Sequence, residues 1–354
     1  MLQYYRWTGD KAWLKAIGYP IAKGVADWIV SRARWNAKDG HFHIYKVMPV
    51  DEWCDNGASG CGDSGVDDDP QMNGASIAAL QFAAEAADAL GMSPDPGWLN
   101  VSTKILLPYG SFETPYGKYS DVHLMPNRTV PFSTYMKNGV ATVCPEDVMY
   151  LTYPMGPALN ITTETTARDF DAWVGSGLTC LENGGMTHPI HAISLLLAKE
   201  HNASYGRLAE RSLNGTMYGC CYGSFNMRNE VDMHNSTQGG HNLNTHFATG
   251  DGGFINTFVS GFGGLMLGAT QEYLRLAAPT VPERTKGLSF KGLDYLTGMF
   301  DYTVTSETLT FEVHAGPALC LVDAHGNVHT LGAKGSTDVQ VADVAFPANL
   351  GHCK

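Results

Sequence analysis

The spacing of apolar residues changes once along this chain, and that change bounds the fold. Before Pro282 the apolar residues recur every three or four positions; after it they fall in short β-branched runs. The first spacing places side chains on one face of a helix, the second on one face of a strand. Ile21, Val25, Trp28 and Ile29 form such a stripe in a helix expected over Trp13–Arg34. Ile77, Leu80, Ala84 and Ala87 form another over Ala75–Leu90, closed by Gly91 as a C-cap. Trp98–Leu106 is a shorter third. Pro189 opens a helix through Ile190, Ile193, Leu196 and Leu197, and Ala203–Leu213 follows. Phe254, Phe258, Phe262 and Met266 continue a helix-like run interrupted by glycines. Thr308–Val313, Ala318–Val322, Val328–Leu331 and Val339–Val344 read as strands separated by Gly or Asn turns. The expectation is a mainly α chain, with a helical portion over 1–280 and a small antiparallel β module over 281–354.

Charge and processing signals narrow the setting. A net charge of -12 argues against nucleic acid or an anionic membrane as a partner. No apolar run is long enough to cross a bilayer. N-x-S/T sequons occur at Asn100, Asn127, Asn160, Asn202, Asn214 and Asn235, and such sites are acceptors only in the secretory pathway. The 8 cysteines are an even number, as expected where disulfides persist. Cys54 and Cys61 bracket a short Gly-rich loop that a disulfide would pin; buried thiols are the other reading. These signals give a secreted or lysosome/vacuole-like glycoprotein. Met1–Arg6 has no apolar core of a signal peptide, which reads as a chain whose N-terminal part is missing.

The chemistry concentrates in Val47-Met48-Pro49-Val50-Asp51-Glu52-Trp53, a loop between two helices. An isolated Asp-Glu pair is ordinarily a solvated acidic loop. Beside Trp53, however, a carboxyl is partly desolvated, which disfavours its charged form and raises its pKa, as a general acid near neutral pH requires.

Four blocks in order carry a resemblance. They are Tyr4-Tyr5-Arg6-Trp7-Thr8-Gly9-Asp10 running into Gly24-Val25-Ala26-Asp27-Trp28; the acidic loop itself; Glu146-Asp147-Val148-Met149-Tyr150-Leu151-Thr152-Tyr153-Pro154; and Phe247-Ala248-Thr249-Gly250-Asp251-Gly252-Gly253-Phe254. Together they are similar to glycoside hydrolase family 65, which holds maltose and kojibiose phosphorylases, acid trehalases and a glucosidase acting on the collagen disaccharide. The resemblance implies part of an (α/α)6 toroid, the second half of the catalytic barrel, followed by the β module. It implies an inverting α-glucosidase acting on a terminal α-glucosyl linkage of a glucoside or glycoprotein glycan, without a cofactor. Val47-Met48 looks most like the collagen-disaccharide branch, and an acid trehalase-like hydrolase is the alternative.

By the same resemblance Glu52 is the general acid, and the base lies in Phe225–Asp232. Strict register falls on Met227, so Glu230 is the first choice for base and Asp232 the fallback. Asp51, Trp53, Asn73, Asp147 and Thr187 are implied to hold substrate. Gly184-Gly185-Met186-Thr187 is similar to the hydrolase branch, where phosphorylases carry a phosphate clamp. One departure stands out: Cys144-Pro145 replaces the family's Lys-Gln, and neither residue supplies the lost charge and donor. That favours altered sugar recognition or a non-catalytic, glycan-binding member.

Metal and phosphate readings are weaker. His188, His191, His234, His241 and His246 lack zinc-site spacing. Asp63, Asp67, Asp68 and Asp69 lack the alternating ligands of a calcium loop. Gly250-Asp251-Gly252-Gly253 lacks the Lys-Ser/Thr of a phosphate loop.

Overall fold

In a computed structural model the described residues are 1–48, 65–114, 117–124, 136–137, 140–141, 146–173, 187–218, 248–268, 274–277, 279–316, 319–322, 328–331 and 335–340. The helices are α1 (Leu2–Thr8), α2 (Lys11–Trp13), α3 (Tyr19–Arg32), α4 (Pro70–Ala89), α5 (Pro96–Ser102), α6 (Glu146–Thr152), α7 (Gly156–Leu159), α8 (Thr163–Trp173), α9 (Thr187–Leu197), α10 (Tyr205–Tyr218) and α11 (Ala248–Asn256). Hairpins β1–β2 (Arg34–Asn36, His41–His43), β3–β4 (Tyr109–Thr114, Gly117–His123) and β5–β6 (Met136–Lys137, Val140–Ala141) lie among them. Contacts divide the chain into two units: Met1–Tyr5, Asp10–Ile161 and Arg168–Cys180, and Arg6–Gly9, Thr162–Ala167 and Leu181–Lys354.

The first unit is built on small residues. Asp69 caps α4 by accepting from the Met72 amide at 2.7 Å, and Pro70 supplies a preset φ at the first turn. The helix ends at Leu90, with Gly91 left-handed at φ 72°. Met92 N–H donates to Ala87 O and Gly91 N–H to Asp88 O, both at 2.9 Å, which completes a Schellman closure. Ile77, Leu80, Ala84 and Ala87 are buried, as the periodicity expects. Gly74 is the point of closest approach in this helix: a Cβ there would sit 2.6 Å from Leu151 of α6.

The expected helix over Trp13–Arg34 runs through α2, a π-helical turn at Leu14–Gly18, and α3. Of its expected apolar stripe, Ile29 turns inward while Ile21, Val25 and Trp28 point outward. Ile17, Ile21, Val25 and Trp28 are between 39% and 56% exposed, whereas Leu14, Gly18, Ala22, Ala26, Ile29 and Ala33 are buried. α3 packs against α4, and the small residues on both helices allow close approach. The inner face therefore belongs to alanines and not to the bulkiest residues. A side-chain tie joins α5 to α3, where Trp98 Nε1 donates to Asp27 at 3.0 Å. The expected Trp98–Leu106 helix starts earlier, because Asp95 caps it by accepting from the Gly97 amide, and it stops at Ser102.

The second unit mixes helices and sheet. α9 and α10 pack together, with Ile193, Leu196 and Leu197 buried and Ile190 half-buried. α11 passes into a π-helical segment at Thr257–Phe262. Met266 then leaves the helix and lies in β7 (Leu265–Leu267), which pairs with β8 (Leu274–Leu276). β9 (Gly287–Tyr295), β10 (Gly298–Thr305), β11 (Thr308–Ala315), β12 (Leu319–Val322), β13 (Val328–Leu331) and β14 (Gly335–Gln340) follow. They form sheets of order β14-β11-β10-β9 and β13-β12-β8-β7, antiparallel apart from the parallel β8–β12 pair.

Along β10 and β11 burial alternates. Phe300, Tyr302, Val304, Leu309, Phe311 and Val313 face inward. Tyr302 stacks on Phe311 with centroids 4.6 Å apart, and its hydroxyl donates to Gly263 O at 2.6 Å. The sequence reading missed β9 and β10. Their hairpin turns on Leu296 and Thr297 at φ 46° and 74°, in place of the Asn-Gly that would mark it. β14 begins earlier than expected because β11 sets its register, from Val313 opposite Gly335 to Thr308 opposite Gln340.

Candidate functional site

The segment carrying Asp51, Glu52 and Trp53 lies outside the described residues, but both of its ends are placed. Val47 and Val66 form an antiparallel bridge, with Val47 N–H donating to Val66 O at 2.9 Å and the reverse bond at 2.8 Å. Gly65 lies beside it at φ 55°; a Cβ there would meet the Lys46 backbone at 2.8 Å, so no other residue fits. Asp67 accepts from the Lys46 amide at 3.0 Å, and Asp68 N–H donates to Ile44 O at 2.9 Å. Of the four acidic residues weighed as a calcium run, Asp63 lies outside the described residues and the other three have local tasks: Asp67 and Asp68 fasten the strand end, and Asp69 caps α4.

His43, at the end of β2, is the centre of this closure. Its Nδ1 lies 2.7 Å from Asp68 Oδ2 and its Nε2 2.9 Å from Asp39 Oδ2. The side chains of His43 and Asp68 are buried, while Asp39 is half exposed. Asp68 Oδ1 also accepts from the Ile44 amide at 3.2 Å, and Asp68 holds a left-handed φ of 55°. The Tyr45 ring stacks on the imidazole at 5.6 Å and 4°. Burial opposes a charge on His43, but the Asp68 and Asp39 carboxylates together outweigh it, and its pKa is raised from 6.5. For Asp39, burial pushes upward, while the bonds from the His41 amide and His43 outweigh it and lower its pKa.

Asn73 is fully buried one turn into α4. Its Nδ2 donates to Leu106 O at 2.7 Å and approaches Asp68 Oδ1 at 3.4 Å; its Oδ1 has no hydrogen-bond partner among the described residues. Asp147 and Thr187 are placed only as positions, in the first turns of α6 and α9. Asp51, Glu52, Trp53, Glu230, Asp232 and the Cys144-Pro145 departure lie outside the described residues. So do seven of the cysteines; the eighth, Cys320, is placed as a position in β12. His43 and Asp39 were missed because His41-Phe42-His43 reads as plain strand alternation.

A second buried pair, in the same unit, joins His123 at the end of β4 to Asp169 in α8. Asp169 accepts from the His123 backbone and from Nδ1, both at 2.7 Å. Elsewhere, on the outer face of the β9–β11 sheet, Asp301, Glu312 and His314 bring ligand atoms within 4.8 Å. Lys291 already pairs with Asp301 there at 2.8 Å.

No family model matches the chain. It is similar to kojibiose hydrolase of Mucilaginibacter mallensis, at 29% identity over 290 residues covering 82% of this chain and 36% of that protein. It is also similar to protein-glucosylgalactosylhydroxylysine glucosidase of Danio rerio, at 26% identity over 312 residues covering 88% of this chain and 41% of that protein. The Mus musculus glucosidase of the same name is 24% identical over 316 residues, covering 88% of this chain and 39% of its own length. A solved structure described as a kojibiose phosphorylase from the human microbiome shares the fold, with a TM-score of 0.62 at 14% identity, over 96% of this chain and 43% of that one. The chain is thus a homologue of glycoside hydrolases. Its resemblance is to glycoside hydrolase family 65, whose members these relatives are, and it spans less than half of their length.

Proposed function

We propose that this chain is the part of an inverting α-glucosidase that carries its acid-base carboxylates, arranged within an (α/α)6 toroid and acting on a terminal α-glucosyl linkage. The observation that carries the reading is the match, over more than four fifths of the chain, to a kojibiose hydrolase and to glucosylgalactosylhydroxylysine glucosidases. Glu52 protonates the departing glycosidic oxygen. Glu230, or Asp232 in its place, activates water on the opposite face of the sugar, with the two carboxyls about 6.5–9.5 Å apart to admit that water. Asp51, Trp53, Asp147 and Thr187 hold the glucosyl unit and its leaving group, while Asn73, fully buried and bonded to Leu106 O, supports the site from beneath.

The setting is the secretory pathway. Asn160 and Asn202 are exposed sequon residues, whereas Asn100 lies in α5 with Ser102 of its sequon buried. Glycans are accordingly expected at Asn160 and Asn202 before Asn100.

The test is hydrolysis of kojibiose, glucosylgalactosylhydroxylysine and trehalose by the protein, joined to any polypeptide it naturally continues into, with the first-formed anomer read by NMR. Glu52→Gln should lower kcat by about 10²-fold or more, and less for leaving groups that need no protonation. An unchanged rate removes Glu52 from its role. Free glucose released first as the β anomer would indicate inversion; release as the α anomer would sink it. Cys144-Pro145 favours a second reading, a glycan-binding member without turnover, which calorimetric binding without glucose release would establish.

A further inference from the structure

We propose that Asp301, Glu312 and His314 bind a divalent cation of the zinc class on the outer face of the β9–β11 sheet, with the Lys291 ammonium as the charge that the ion displaces. The site is separate from the glucosidase reading and stands whether or not that reading holds.

Strand register brings the ligands together. Asp301 in β10 and Glu312 in β11 are directly opposed partners, and His314 lies two positions further along β11. Phe300, Tyr302, Phe311 and Val313 flank them in sequence and are buried, so the three ligand residues project from the opposite face. One ligand atom from each lies within 4.8 Å of the others, and His314 Nε2 is 3.2 Å from Asp301 Oδ2. Two ligands on one zinc, each about 2.1 Å from it at a tetrahedral angle, are roughly 3.4 Å apart. Side-chain rotation covers that difference with both strands left in place.

Charge on this face calls for a cation. Like charges directly opposite each other destabilise a sheet, and Asp301 with Glu312 is such a pair. Lys291 offsets it, with Nζ 2.8 Å from Asp301 Oδ2 and within the field of Glu312. The Lys291 side chain is 64% exposed and free to swing into water, whereas that of Asp301 is 15% exposed and held. Gly292 N–H donates to Asp301 Oδ1 at 2.8 Å, which leaves Oδ2 facing the imidazole. A hydrogen bond of that kind orients a metal-binding carboxylate.

A bulge supplies this support. The β9–β10 register shifts between Phe300 and Tyr302, so Lys291 and Gly292 both fall opposite Asp301. Gly292 takes φ 63°, and a Cβ there would meet nothing within 4 Å among the described residues. The space beside the cluster suits the water that completes a centre with three protein ligands. The donor set selects the ion. One imidazole with two carboxylates suits zinc, nickel or copper, whereas calcium takes six or more oxygens and magnesium a near-ideal octahedron of them.

The test titrates zinc chloride into the full chain, in buffer without thiol or chelator, and reads the His314 ring by ¹⁵N NMR together with melting temperature. The chain has 13 histidines and 8 cysteines, so every readout is set against His314→Ala. The His314 ring should shift saturably below about 1 mM zinc. Melting temperature should rise with zinc, because the folded sheet binds it and the unfolded chain lacks the arrangement. His314→Ala should lose that rise, and magnesium should reproduce neither effect. Lys291→Met removes the competing ammonium and should tighten binding by about threefold or more. Should His314→Ala fail to fold, Glu312→Gln, a change at an exposed position, must weaken the zinc response instead. Three results would overturn the site: a His314 ring that zinc leaves unmoved, a melting rise that His314→Ala retains, or zinc binding that Lys291→Met leaves equal or weaker.

Discussion

The helical core around α4 and the sheet core around β10–β11 are both buried, yet they are filled on opposite principles. In α4 the buried side is rich in small residues, with Gly74, Ser76, Ala83, Ala84, Ala86 and Ala87 beside Ile77, Leu80 and Phe82, and the small ones let backbones come close. In the sheet the space is filled by rings, with Phe300, Tyr302 and Phe311 fully buried and Phe290 stacked 5.7 Å from Tyr302. Shape limits the first core and volume limits the second. The first should therefore resist added atoms and the second should suffer from lost ones.

Three measurements sharpen or break that contrast. The largest effect belongs to Phe311→Ala, which opens a cavity beside Tyr302 and Phe300. It should destabilise the protein by about 3–5 kcal/mol in denaturant unfolding. A loss under about 1 kcal/mol would mean that the rings re-close and volume is not what fills the sheet. Ala86→Leu should come next, at about 1–3 kcal/mol, because the extra carbons have no room between helices. A neutral or stabilising result would show a void in α4 and erase the difference between the cores. The smallest concerns the sheet's outer face, where Lys291 and the Gly292 amide hold the Asp301 carboxyl down at about 2. Lys291→Ala should raise that titration midpoint, read by NMR, with little change in melting near neutral pH. A depressed Asp301 pKa stabilises above 3.8 and loses that contribution as pH falls towards 2, so any stability difference should appear only in acid. An unmoved midpoint would assign the depression to Gly292 and His314 alone.

The same contrast explains what the sequence made legible. α4 is legible from its periodic small residues and its closing Gly91, but it starts at Pro70 and not at the expected Ala75, because Asp69, which reads as part of an acidic run, caps it. α3 misled because the largest side chains were taken as the inward ones, while alanines and a glycine hold that side. The β11–β13 strands were visible from β-branched runs. β9 was not, since Gly287 and Gly292 dilute its pattern and Leu296–Thr297 give no turn signal. At the candidate site, Asn73 was singled out and lies buried beside Asp68. The charge relations of His43 were invisible because Asp39 and Asp68 come from either side of it, 4 residues before and 25 after, and meet only through the hairpin.

The outward row Ile17, Ile21, Val25 and Trp28 has a consequence in solution. Fully burying such a side chain is worth about 1.5–3 kcal/mol, and these four are only about half exposed, so covering the row gains roughly 3–6 kcal/mol, comparable to the low end of an ordinary domain's net stability. Copies of the chain, each carrying a charge of -12, repel one another and keep such rows apart. The reach of that repulsion shrinks from roughly 30 Å at 0.01 M salt to roughly 3 Å at 1 M. Ionic strength is thus the variable that decides whether two such rows can meet, and the light scattered by a concentrated sample should climb with it.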